Sequence, residues 1–450
     1  MKYLKLKKIY KTGKPEDYLN RIIFLKERMV MGYNFFKITE LKDSFRIKLN
    51  TFVATLGSAI AEGKKISFAD NDISYVLQLQ NERLKNKGIT MEYEVYDRDD
   101  KRNATIGSEW KDAHYESFVC NEQIGLKRKI SKAGSKLYSD NKKNILYTTI
   151  TDVTTGIHPD DETCCCPNCG SVSTIEQLQG GCPYCGTMYK MDDLFPKVTG
   201  YYFLNDVAVA GNEGKKGIGI SILISFIINF LIMVIASIAN HNSLSIGTII
   251  GLIFVSLIAG YFFYAIFMAI RLIVVGSSQS AGKYGTIGSR KKFEQRMKMI
   301  TPEFSFEYFT SKAISLIKTA IYSENAQELM FYRGGALNPE FKDVIDLNYG
   351  GALGLANVTE ENRIVTVATD AFFDVLYERD SKVIFKRERL RAVFQRRTDI
   401  PINLQFSMTK IQCPTCGGSF NAIRNRKCPY CGNDYDIISQ DWVLVELMRV

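Results

Sequence analysis

Three segments near the carboxy end decide the fold: VIDLNYGGALGLANV at 344–358, IVTVATDAFFDVLYER at 364–379 and KVIFKRERLRAVFQRRT at 382–398. Each is rich in β-branched and aromatic residues, which suit a pleated, half-buried surface. They are separated by the turn-like Glu360-Glu361-Asn362 and Glu378-Arg379-Asp380-Ser381, so they read as long antiparallel strands joined by tight turns. Just upstream, FSFEYFTSKAISLIKTAIYS at 304–323 places Phe306, Phe309, Ala313, Leu316, Ile317 and Ala320 on one face at helical spacing. A helix leading into a curved antiparallel sheet is an α+β domain, here over 302–410, with a concave apolar face that is either filled or hollow.

Downstream of the strands, Cys413-Pro-Thr-Cys416-Gly is followed after 11 residues by Cys428-Pro-Tyr-Cys431-Gly. The same design occurs earlier, where Cys166-Pro-Asn-Cys169-Gly is followed after 12 residues by Cys182-Pro-Tyr-Cys185-Gly. Two C-x2-C pairs separated by a hairpin's length of chain bring four thiolates into a tetrahedron at ~2.3 Å from one zinc ion. Two zinc ions per chain are therefore expected, in ribbons at 161–206 and 411–450, each with a following strand. Four filled ligand positions leave no open place for water or substrate, so these metals staple thin modules rather than catalyse. Cys164 and Cys165 are surplus to the first set.

Between the ribbons the chain contains no Asp, Glu, Lys or Arg from Gly217 to Ile270. Two apolar blocks lie there, GIGISILISFIINFLIMVIASIA at 217–239 and IGTIIGLIFVSLIAGYFFYAIFMAI at 246–270. At ~1.5 Å rise per residue either block spans a hydrocarbon core of ~30 Å as a helix. Neither keeps the polar stripe of a soluble helix, and the pair reads as a transmembrane hairpin. Lys215 and Lys216 precede it, Arg271, Lys283, Arg290, Lys291 and Lys292 follow it, and the turn at 240–245 has no Lys or Arg. The bias of positive charge to the cytoplasmic side then sets both termini in the cytoplasm. A reducing compartment also argues against disulfides. The basic amino terminus lacks the apolar core of a cleavable signal peptide.

The region 1–160 repeats the plan more loosely, with helical patterns at 16–31 and 45–61, then strand-like 91–96, 113–120, 124–130 and 145–153. After each ribbon comes a further strand pattern, Tyr201–Leu204 in one case and Trp442–Val445 in the other. The expected architecture is two helix-plus-curved-antiparallel-sheet domains, each followed by a zinc ribbon and separated by the hairpin. The net charge of +10 lies wholly in the first 150 residues, with 29 basic against 19 acidic residues there and 29 against 29 thereafter. Such a surface could meet anionic lipid or nucleic acid; basic residues are not interleaved with aromatics, so nucleic acid is not expected. In the juxtamembrane stretch 271–301, Arg290, Lys291, Lys292, Arg296 and Lys298, interspersed with Phe293, Met297 and Met299, either lie on an anionic leaflet or form a solvated linker helix.

The order of a transmembrane segment, a Gly/Ser-rich basic stretch (GSSQSAGKYGTIGSRKKFEQRMKMI, 276–300), the start Pro302, Phe304, Ser305, Glu307, Phe309 and a three-strand cone resembles the tether subunit of the mitochondrial import motor and its bacterial relatives. The resemblance covers 293–398 and implies a cone similar to nuclear transport factor two, held at a membrane and binding proteins or lipid. The integral hairpin, the two ribbons and the doubled domain depart from that pattern.

No phosphate-cradling glycine loop, H-E-x-x-H or G-x-S-x-G motif occurs, and an enzyme is not expected. Asp370, Asp374, Glu388 and Arg391 are the residues that strand geometry could place in the cone. The expected function is a membrane-anchored cytoplasmic adaptor or scaffold that binds partner proteins, connected to protein translocation or envelope processes. The alternative is a small-molecule or lipid sensor using the cone interior. The expected partners are a cytoplasmic or membrane protein and membrane lipid, with homo-oligomerisation left open.

Overall fold

The computed structural model describes residues 38–39, 41–99, 106–112, 115–153, 163–166, 169–178, 181–186, 189–190, 196–206, short runs between 219 and 266, 290–399, 409–410, parts of 413–434, and 441–450. It is α+β, with two large antiparallel sheets. The first begins with β1 (Ile38–Thr39) and the helices α1 (Asp43–Glu62) and α2 (Asn71–Asn86). The strands β2 (Ile89–Asp97), β3 (Ile106–Lys111), β4 (Tyr115–Lys132) and β5 (Ser135–Val153) follow. Sheet order is β1-β3-β4-β5-β9, with β2 also paired to the far end of β4; β9 is Lys197–Asn205. The second half runs α3 (Arg290–Ile300), α4 (Phe306–Tyr322), β10 (Val344–Glu361), β11 (Ile364–Arg379), β12 (Lys382–Arg397) and β14 (Val443–Arg449). These four strands form a sheet in that order.

Local chemistry fixes these elements. The hairpins β4–β5, β10–β11 and β11–β12 turn through two residues each, Ala133-Gly134, Asn362-Arg363 and Asp380-Ser381, all with positive φ. That is the backbone twist a two-residue hairpin requires. Helix α2 starts where the Asp70 carboxylate accepts from the Ile73 amide at 2.7 Å, and α4 where the Ser305 hydroxyl accepts from the Tyr308 amide at 3.3 Å. Each cap satisfies an amide that the helix itself leaves unpaired. Register shifts around Tyr349–Leu353 and Leu355–Asn357 bend β10, as bulges do.

One face of the second sheet is covered by α4. Phe309 packs on Phe394 and Trp442, with ring centroids at 5.6 and 4.9 Å, and Phe293 of α3 joins Phe304, Phe306 and Phe309. In the first half, α1 and α2 bury Phe45, Phe52, Leu56 and Leu77 against Phe118, Ile130 and Ile150.

The two halves, Glu27–Asp206 and Gly285–Val450, cluster as one compact unit. Within this unit the cores interlock: Val76 of α2 packs with the carboxy-terminal cluster, and Ile345 and Leu376 pack with the amino-terminal one. Polar contacts cross the same seam. Arg128 of β4 pairs with Asp140 and with Asp346 of β10, both at 2.6 Å. Arg83 of α2 donates to the carbonyls of Phe341, Val344 and Ser323 at 2.7, 3.3 and 3.0 Å. The Asn348 amide both donates to and accepts from the backbone of Phe203, closing the β9 edge.

Both four-cysteine modules are insertions before the last strand of a sheet. The first lies between β5 and β9, with a small hairpin of β6 (Thr163–Cys165) and β7 (Val172–Thr174); the second lies between β12 and β14. A two-stranded ladder joins them, pairing β8 (Tyr189–Lys190) with β13 (Thr409–Lys410).

The expected hairpin at 217–270 lies largely outside the described residues. Among the described residues no helix is long and apolar enough to cross a membrane. At single described positions, Ile220, Leu223, Ile224, Ile227, Ile228 and Leu231 are helical and 49–59 % exposed. The helix expected at 16–31 also falls outside the described residues.

Candidate metal centres and an interior cavity

The sulfurs of Cys166, Cys169, Cys182 and Cys185 lie within 4.8 Å of one another, and so do those of Cys413, Cys416, Cys428 and Cys431. Individual Sγ–Sγ distances are 3.7 Å for Cys166–Cys185 and Cys169–Cys182, 3.4 Å for Cys413–Cys431 and 3.6 Å for Cys416–Cys428. Four sulfurs bound tetrahedrally at ~2.3 Å would stand about 3.8 Å apart. Each cluster could therefore hold a metal ion, and its dimensions are consistent with zinc.

The local backbone explains this convergence. Cys166, Cys413 and Cys428 each donate an amide to the carbonyl five residues on, at Ser171, Gly418 and Asn433, at 2.8–2.9 Å. Gly170, Gly186 and Gly432 return their amides to the carbonyl of the first cysteine of their pair and have φ of +74°, +67° and +75°, a conformation that favours glycine. Backbone amides of Cys416 and Thr415 aimed at Cys413 lower its thiol to about 6. Cys431 goes the other way, to about 12: the Asn433 amide lowers it, but the crowded sulfurs of Cys413, Cys416 and Cys428 outweigh that. Four like charges so close cannot all form without a cation among them.

In both sets the first cysteine of each pair is buried and the second exposed. Tyr184 and Tyr430, at matching places in the two C-P-Y-C knuckles, stand 72 % and 69 % exposed. The backbone of Cys164 and Cys165 pairs with Ser173 and Val172 in the β6–β7 hairpin. Cys120 is apart from both clusters and buried, and burial pushes its thiol up to about 12.

The basic and apolar residues of 290–299 divide between two faces of α3. Arg290 turns inward, where its guanidinium stacks on Trp110 at 3.8 Å and Phe306 at 4.5 Å and pairs with Glu307. Phe293 and Met297 are fully buried. A leaflet-facing role is thus removed from Arg290, Phe293 and Met297, because the core of α3 and α4 claims them. Lys291, Lys292, Arg296 and Met299 remain exposed, and Lys298 pairs with Asp112 at 3.3 Å. The acidic residues considered for the cone are held by arginines: Asp370 by Arg389 and Arg391 at 2.6 and 2.9 Å, Asp374 by Arg387 at 3.3 Å, and Glu388 by Arg449 at 2.9 Å.

A cavity of about 100 Å³ lies at the seam of the two halves. Its walls come from α2 (Ile73, Val76), β9 (Gly200, Tyr201, Tyr202), α4 and β10 (Tyr349, Leu353), and Arg290 also lines it. Helix α4 contributes Glu307, Thr310, Ser311, Ile314, Ser315 and Lys318, a stripe at helical spacing. Burial pushes the Glu307 carboxyl up despite Arg290 beside it. Burial lowers the Lys318 ammonium to about 8. The one sequence signal was a single charge, Lys318, within the run 313–322.

No protein family, curated protein or solved structure matches the chain.

Proposed function

We propose that this protein is a membrane-anchored adaptor whose folded body lies on the cytoplasmic side and binds a partner protein. The observation that carries this reading is the single compact unit made from the chain on both sides of the charge-free stretch 217–270. Two flanks that fold together must share one aqueous space, so any membrane crossing between them is even in number. Two blocks of spanning length meet that requirement, and the positive flanks put the shared space in the cytoplasm. The exposed helical isoleucines and leucines between 220 and 231 fit lipid contact better than water.

Zinc at the two cysteine sets supplies structural stapling: with thiolates in all four positions it holds the knuckles whose tips present Tyr184 and Tyr430. Paired, exposed tyrosines on rigid knuckles suit protein recognition, since tyrosine buries a large area at low entropic cost. Lys291, Lys292 and Arg296 lie on the exposed side of α3, where anionic headgroups would attract them at ~1 kcal/mol each.

The test is co-purification from native membranes in mild detergent, wild type against the double variant Tyr184→Ser, Tyr430→Ser. The adaptor reading expects a stoichiometric partner with the wild type and its loss with the variant at unchanged metal content. A wild type that reproducibly purifies alone contradicts it.

A further inference from the structure

The seam cavity has a lining that a packed core does not need. Helix α4 is buried on nearly every side, yet the side facing the cavity carries Thr310, Ser311, Ser315 and Lys318. Buried polar groups are costly unless something pairs with them. The Thr310 hydroxyl is buried with no hydrogen-bond partner among the described residues. Lys318 is 7 % exposed, and among the described residues its ammonium makes no hydrogen bond or ion pair; its contact is the face of Tyr201 at 5.1 Å. The carboxylate that acts on it electrostatically, Asp346, already bonds Arg128 and Gln80.

Among the described residues the charges lining the cavity are Lys318, Arg290 and Glu307, and the last two pair with each other. Among these residues the ammonium of Lys318 is the charge without an opposite partner, at the end of the stripe remote from Glu307. Around it are hydroxyl donors on one wall and apolar or aromatic groups on the others: Ile73, Val76, Tyr202, Tyr349 and Leu353. The complement is a single negative charge that accepts several hydrogen bonds and carries a small apolar body. A tetrahedral di-anion would lack counter-charge, and a neutral apolar molecule would leave the ammonium unpaired. Size narrows the class further, because an apolar cavity of about 150 Å³ takes up benzene, so about 100 Å³ suits roughly four to six heavy atoms.

We infer that the cavity between α4, β9 and β10 is a binding site for a short-chain monocarboxylate, with its carboxylate on Lys318 and the α4 hydroxyls and its alkyl end against Tyr202 and Tyr349. Gly200 belongs to the design: a Cβ there would come 2.8 Å from Ser311 Oγ, so glycine lets β9 pass without displacing that hydroxyl. The site lies away from both cysteine sets in sequence and is independent of the adaptor reading, since the ligand can bind whether or not a partner is present.

The experiment is calorimetric titration of the full-length, metal-loaded protein in detergent at pH 7 with acetate, propionate, butyrate, hexanoate and neutral 1-butanol. Saturable one-to-one binding is expected for propionate or butyrate, at least tenfold tighter than for 1-butanol. Lys318→Met keeps the volume and removes the charge, and should weaken binding at least tenfold. Ile314→Phe fills the cavity while leaving the charge, and should do the same. Metal content and unfolding midpoint establish that each variant is folded. Absence of saturable carboxylate binding by the wild type overturns the assignment, as does equal affinity for butyrate and 1-butanol or unchanged affinity in a folded Lys318→Met protein.

Discussion

Lys318 and Arg128 show two treatments of a buried cation. The Arg128 side chain is 11 % exposed and is held between Asp140 and Asp346, with Tyr138 donating to Asp140 at 2.8 Å. Replacing it by Met leaves two carboxylates facing each other inside the seam, and loss of one partner from a buried ion pair costs about 3–5 kcal/mol. Arg128→Met should lower the urea unfolding free energy by about 3 kcal/mol. Lys127→Met, whose side chain is 55 % exposed beside Glu94, should change it by less than about 0.5 kcal/mol. Equal effects would place Arg128 outside the structural seam.

Lys318 lacks such partners, and its folded value of about 8 lies below the ordinary 10.5. As pH rises the folded protein gives up this proton before the unfolded chain does, so the penalty present below about 8 disappears between about 8 and 10.5. Wild-type stability should therefore gain up to about 3 kcal/mol from this group across that window. Lys318→Met should already be more stable at pH 7 and should lack the gain. Urea midpoints from pH 7 to 10 check both, and parallel pH profiles for the two proteins would contradict the burial of a charged lysine. Binding of a carboxylate at this ammonium should weaken over the same rise in pH.

Among elements, the two inserted cysteine modules carry the clearest expectation. Each separates the last strand from the rest of its sheet, and the β8–β13 ladder ties one module to the other. Mass spectrometry of the native protein should find two zinc ions per chain. Cys182→Ser should reduce this to one and, by freeing β8, speed chelator removal of metal from the set Cys413, Cys416, Cys428, Cys431. An unchanged release rate would mean the ladder does not couple the modules.

The elements differ in how plainly the sequence announced them, and turn chemistry explains most of the difference. The strands at 344–358, 364–379 and 382–398 were legible because Asn362-Arg363 and Asp380-Ser381 punctuate them, and the structure only lengthens the first to Glu361. In the other half, Asn121-Glu122-Gln123 suggests a break between 113–120 and 124–130, yet all three pair with β5 and β4 runs unbroken. Helix α2 gave little apolar signal because Gln80, Asn81 and Arg83 are among its buried residues. Their partners lie in Ile60, Phe341, Val344 and Ile345, mostly more than two hundred positions away. Strand β3, IGSEWK, is too short and polar to stand out. The metal sets were readable in full because a spacing rule defines them; the cavity was not, because no spacing rule links Lys318 to Gly200 and Tyr349.

For the whole molecule, the consequential feature is that chain on both sides of 217–270 builds one body. Nothing in the sequence reveals Arg128 with Asp346, 218 positions apart, or Lys312 bridging Asp72 and Asp441 at 2.7 and 2.9 Å. Removing either half exposes the other half's core, so truncations at the charge-free stretch should yield insoluble or protease-sensitive fragments, while co-expressed halves should recover some folded protein. Recovery of two separately stable, metal-loaded halves would contradict a shared core.

On the proposed arrangement both flanks form this body on one side of a membrane, with only the loop at 240–245 on the other. It is tested most directly by short epitope insertions at the turns Ala133-Gly134 and Asp380-Ser381 and within 240–245, probed by protease protection in sealed vesicles of known orientation. The first two epitopes should share one accessibility and the third should have the opposite. Finding the first two on opposite faces, or all three on the same face, would contradict it.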